Sequence, residues 1–198
     1  MYKLIRSKKE GKVALFFWTF NFLGIIISTR GSADTIISFL VLLTLYLINK
    51  KQYTFAGLVY GFAIHFKIYP VILGLLICLY ISKDQFIINL KVIKFAFNTL
   101  ISLSSLSYYF YLKYGWTFLY ESTLYHFVRT DFKHNFSPHF LFIYLSKDKQ
   151  ISLSDSLVLF LPSIILVILI SIRFREHLIF GCYSCLIIFV HLNKIWTP

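Results

Sequence analysis

A chain of 198 residues that is 58% apolar, 20% aromatic and only 14% charged has too little polar surface to cover a water-soluble domain of its size, which points to an integral membrane protein. Its 20 Lys and Arg against 8 Asp and Glu give a formal net charge of +12. These cations lie at segment ends and in loops rather than along one groove, which speaks against a nucleic-acid partner.

Charge-poor apolar stretches run over 13–29, 33–49, 52–66, 68–82, 95–112, 156–172 and 177–193. Read as helices, they predict an all-α, polytopic membrane protein with about seven transmembrane segments, forming a single multispanning domain over residues 1–198. Each stretch is short against the ~20 residues of a standard bilayer, but a thin endoplasmic reticulum bilayer of about 27 Å needs about 18. Residues 52–82 are barely enough helix for two crossings and a turn, which makes this pair a candidate re-entrant hairpin. A cytosolic amino terminus puts most cations, Lys50, Lys51, Lys91 and Arg173 among them, on the cytosolic side. Short loops on the other side then carry only Arg30, Lys67 and Lys194, as the positive-inside rule asks. The basic amino terminus leads into a span without a small-residue cleavage site, so topology is expected to come from the spans. Cys78, Cys182 and Cys185 fall inside spans, where apolar packing is their expected role, and no metal-ligand spacing occurs.

In this topology three polar segments face the lumen. The first, Ser28-Thr29-Arg30-Gly31-Ser32-Ala33-Asp34, presents a guanidinium beside a glycine that lets backbone approach a ligand. Asp34 reads either as a carboxylate in the first turn of the next helix, favoured by its dipole, or as a proton acceptor. The second, His65-Phe66-Lys67-Ile68-Tyr69-Pro70, sets an imidazole and an ammonium between apolar segments, where ionisable groups mark function unless they snorkel to the surface. The third is the long loop 113–155. Trp116, Tyr120 and Tyr125 read first as interfacial belt residues. Beyond them, His126, Arg129, Asp131, Lys133 and His134 fall within nine residues. They supply cations for a phosphate, a carboxylate and imidazoles that titrate near neutrality. Asp131 also reads as a plain ion-pair partner of Arg129 or Lys133. Asn135-Phe136-Ser137 fits a glycosylation acceptor, although Pro138 and the nearby membrane disfavour attachment.

Together, Thr29 to Asp34, His65 to Pro70, Tyr114-Gly115-Trp116-Thr117-Phe118-Leu119 and Arg129 to Pro138 resemble, in order and spacing, the catalytic subunits of glycosylphosphatidylinositol (GPI) mannosyltransferase I. His191-Leu192-Asn193-Lys194 resembles a further segment of that family. The resemblance covers residues 10 to about 196. It implies a partial glycosyltransferase C fold, and a multi-pass endoplasmic reticulum enzyme with its active side in the lumen. The implied reaction transfers the first mannose, in α1,4 linkage, from dolichyl-phosphate mannose to glucosaminyl-phosphatidylinositol. A small stabilising membrane subunit is the implied partner. Family members are roughly twice as long and carry an acidic Asp-x-Asp loop and later spans that have no counterpart here. The expectation is therefore a fragment, and the rival readings are a non-catalytic membrane subunit or inactive fragment, or a related dolichol-dependent glycosyltransferase with another acceptor.

Such a transfer needs a base for the attacking hydroxyl and positive charge for the departing phosphate. Arg30 and Lys67 are the first candidates for the phosphate, with Arg129 and Lys133 behind them, and His65 and Tyr69 adding hydrogen-bond donors. Asp34 and Asp131 are the carboxylates available as base, and His126, His134 and Asn135 are assigned to the acceptor sugar. No residue is assigned to a metal.

Overall fold

The computed structural model describes residues 12–13, 16–17, 19–20, 34–82, 89–125, 144–145 and 153–192. Their regular structure is entirely helical, with no strand among the described residues. In chain order come α1 (Asp34–Asn49), α2 (Tyr53–Phe66), a 3-10 turn (Tyr69–Leu73), α3 (Gly74–Ser82), α4 (Leu90–Tyr114), α5 (Trp116–Leu119), a π turn (Tyr120–Leu124), α6 (Leu153–Arg173) and α7 (Leu178–Leu192). α4 begins before the expected 95 because Asn89 caps it: its Oδ1 accepts the N–H groups of Lys91 at 3.0 Å and Val92 at 2.9 Å. The charges of Lys91 and Lys94 interrupt an apolar run but not a helix, since lysine is a good helix former.

Among the described residues, no helix is long and apolar enough to cross a membrane. α1, α2 and α7 have 16, 14 and 15 residues, and α4, with 25, carries three lysines and several serines.

The chain divides into two compact units, residues 1–70 with 88–106 and residues 71–87 with 107–198. In the first, α1 packs on α2. Ile37, Thr44, Leu45 and Ile48 form its buried stripe, at the spacing of one helical face. A tight reversal joins the two helices. Lys51 takes the left-handed conformation (φ 58°), its N–H donates to the Ile48 carbonyl at 2.8 Å, and the Gln52 N–H donates to Leu47 at 3.0 Å. This double bond pattern satisfies carbonyls that the helix end would otherwise leave open. On α2, Gly57 and Gly61 stand four residues apart on one face, against Phe95 and Thr99 of α4. The approach is so close that a Cβ on Gly61 would lie 2.6 Å from the Thr99 carbonyl oxygen. The Tyr60 and Phe95 rings pack against each other beside these contacts, tilted by 30° with centroids 5.4 Å apart.

In the second unit α3 packs against α6 and α7. Gly181 of α7 lets Leu76 of α3 come in, since a Cβ there would meet its Cδ2 at 2.8 Å. Ser171 donates to the Val167 carbonyl at 2.7 Å and lies 3.8 Å from the Cys185 sulfur. Cys182 and Cys185 are buried free thiols. At the end of α4 the Phe110 ring stacks on Tyr114 and Phe118, with centroids 6.3 and 5.5 Å away. Gly115 (φ 65°) makes the bend between α4 and α5 in a conformation that side chains rarely adopt.

Candidate functional site

α2 stops at Lys67, whose backbone turns extended (φ −148°, ψ 138°) while its N–H still donates to the Ala63 carbonyl at 3.2 Å. Pro70 follows closely; it has no N–H to extend a helix and restrains the residue before it, so the chain turns instead of continuing. The Lys67 side chain reaches Asp34, in the first turn of α1, and its ammonium donates to that carboxylate. One ion pair thus joins residues 33 apart in sequence and ties the start of α1 to the end of α2. Its side chains are 46% and 35% exposed, an exposure at which such a pair contributes only ~0–1 kcal/mol to the fold. A contribution that small leaves room for a role beyond folding.

Two more of the expected residues sit at the same end of the α1–α2 pair. His65 lies half-buried in the last turn of α2, and Tyr69, also half-buried, opens the 3-10 turn within range of the Asp34 charge. Beneath them Tyr60 donates its hydroxyl to the Pro70 carbonyl at 2.7 Å in a buried hydrogen bond. The remaining candidates, Arg30, His126, Arg129, Asp131, Lys133, His134 and Asn135, lie outside the described residues. Trp116, Tyr120 and Tyr125 are exposed. Among the described residues no three His, Cys, Asp or Glu side chains gather as metal ligands would.

Chemically, the turn offers an ammonium group with three N–H bonds, one of them held by Asp34, next to a phenol. That set suits an anionic oxygen group arriving from the exposed side. Sequence reasoning missed Tyr60 and the Gly57–Gly61 face. The small-xxx-small spacing of the glycines was a readable signal of close helix approach. Tyr60 had none, because its partner is a backbone carbonyl in the following turn.

Comparison with known proteins places the chain among glycosyltransferases. The family model described as "Mannosyltransferase (PIG-M)" matches residues 27–198. The chain belongs to this PIG-M mannosyltransferase family. It is 34% identical to a zebrafish (Danio rerio) protein named GPI alpha-1,4-mannosyltransferase I, catalytic subunit, over 98% of this chain and 52% of the relative. It is similar to proteins named GPI mannosyltransferase 1 from Dictyostelium discoideum, at 33% over 93% of this chain and 49% of the relative, and from Schizosaccharomyces pombe, at 35% over 96% and 54%. The chain spans about half the length of these curated relatives. No solved structure matches it.

Proposed function

We propose that this chain forms part of a membrane-embedded α1,4-mannosyltransferase of the endoplasmic reticulum. It adds the first mannose to glucosaminyl-phosphatidylinositol from dolichyl-phosphate mannose, on the lumenal side and beside a small stabilising subunit. The family match supports the reaction class. Membrane residence is supported by polarity: Phe39, Phe55, Phe97, Ile172 and Phe180 are exposed while Thr44, Ser102, Ser163 and Ser171 are buried. A surface rich in large apolar side chains, with hydroxyl groups turned inward, suits lipid as solvent.

The ion pair between Lys67 and Asp34 is the observation that carries the site. In the transfer, an acceptor hydroxyl oxygen bonds to the mannose anomeric carbon as the bond to the dolichyl phosphate breaks, and the hydroxyl proton passes to a base. Lys67, with Arg30, holds the phosphate before and after it leaves, while Tyr69 and His65 donate to its oxygens. Asp34 keeps the ammonium in place. Asp131 is then the base candidate of this chain, with Arg129 and Lys133 as further cations, and His126, His134 and Asn135 meet the acceptor.

Complementation of cells lacking the first GPI mannosyltransferase tests this with the full gene. Lys67→Ala and Arg30→Ala are each expected to lower mannosylation ~10-fold or more, the scale of a lost charged hydrogen bond. Full activity in both variants overturns the site.

A further inference from the structure

The turn that presents Lys67 has little to hold it from outside. Lys67 and Ile68 are exposed, and the ion pair to Asp34 is itself partly in solvent. What anchors the turn lies beneath it. Tyr60 is 2% exposed, stands about two turns before Lys67 at the end of α2, and sends its hydroxyl to the Pro70 carbonyl at 2.7 Å. Its ring is packed in place: Phe95 lies against it, tilted by 30° at 5.4 Å between centroids, and Gly57 and Gly61 bring α4 close against the same face of α2. Pro70 is itself fully buried, so the hydrogen bond closes a loop between two buried ends, with Lys67, Ile68 and Tyr69 between them.

We infer that Tyr60 is a positioning residue for binding of the lipid-linked phosphate, acting through the turn that carries Lys67. This rests on the assignment of Lys67 to that phosphate. The Tyr60 hydroxyl touches no substrate; it fixes the height and direction from which Lys67 and Tyr69 approach the anion. Losing it leaves the ring, the helix contacts and the ion-pair partners in place, while the turn gains freedom that must be given up whenever the phosphate binds. The effect therefore falls on affinity for the lipid-linked phosphate and not on the acceptor.

The experiment measures mannose transfer in membranes carrying the full-length protein and its Tyr60→Phe, Lys67→Ala and doubly substituted forms, varying dolichyl-phosphate mannose and acceptor separately. Tyr60→Phe is expected to raise KM for dolichyl-phosphate mannose about fivefold, the scale of one neutral hydrogen bond, with acceptor KM and protein amount unchanged. In the Lys67→Ala background the same change is expected to add clearly less than its full effect, since of the two groups it positions only Tyr69 remains. If Lys67→Ala raises that KM but Tyr60→Phe does not, or if Tyr60→Phe shifts both KM values alike or adds its full effect to Lys67→Ala, this inference alone is overturned. If Lys67→Ala leaves that KM unchanged, the assignment of Lys67 fails and the inference fails with it.

Discussion

Asp34 meets two independent demands. Its place in the first turn of α1 sets a negative charge against the positive end of the helix dipole, and Lys67 occupies its carboxylate. A carboxylate so engaged is placed to hold a cation still. Asp34→Asn keeps an oxygen for Lys67 and is expected to lower kcat by no more than about fivefold. Removing the general base would cost on the order of 10²- to 10⁴-fold, so a loss of that size in steady-state assays would restore Asp34 as the proton acceptor. At this scale the sequence was partly legible. Lys67 and Asp34 stood out because ionisable groups beside apolar segments demand a partner, and their pairing follows from α1 and α2 folding back on each other. Tyr60 did not stand out, because a tyrosine in an apolar stretch looks the same whether its hydroxyl is used or not.

Among the elements, α2 carries the most consequence per residue. Ala56, Gly57, Tyr60, Gly61, Ala63 and Ile64 are all buried in a helix of 14 residues. Small residues there let the α2 backbone come close enough to α4 for dispersion and Cα–H···O contacts to replace side-chain interdigitation. Gly61→Ala tests this against a known opposing effect. Alanine gains about 1 kcal/mol of helix propensity over glycine. Its Cβ, however, would fall 2.6 Å from the Thr99 carbonyl oxygen, and a backbone atom of α4 cannot step aside as a flexible side chain can. The helices must part, at an overpacking cost of ~1–3 kcal/mol, so a net loss of stability is expected. It is read as a lower midpoint of thermal unfolding in detergent; an unchanged or higher midpoint would mean that α4 yields freely. The apolar runs fall where α1, α2, α4, α6 and α7 lie, but the run 68–82 is a 3-10 turn followed by the short α3, and the run 13–29 lies largely outside the described residues. Helix ends were less legible, since the start of α4 is fixed by the Asn89 side chain, whose capping role a run of hydropathy does not register.

For the whole molecule, a membrane location has to be reconciled with the shortness of α1, α2 and α7. At ~1.5 Å per residue α1 rises about 24 Å and α2 about 21 Å, against about 27 Å of hydrocarbon in the thinnest relevant bilayer. Such a mismatch of a few Å costs only fractions of a kcal/mol per Å, and local thinning of the bilayer absorbs it. Snorkelling cations at helix ends assist, and Lys50 and Lys51 stand at the link between α1 and α2 while Lys67 stands at the far end of α2. If α2 crosses, these two ends face different compartments, with Lys50 cytosolic by the positive-inside rule and Ile68 lumenal. Single cysteines at these two exposed positions, in a protein whose Cys78, Cys182 and Cys185 are alanine, read this out with a membrane-impermeant maleimide on sealed microsomes. Lys50→Cys is expected to label on intact vesicles and Ile68→Cys only after the membrane is opened. Labelling of both on intact vesicles would put the Lys67 turn on the cytosolic face, away from the side where the mannose is proposed to be transferred.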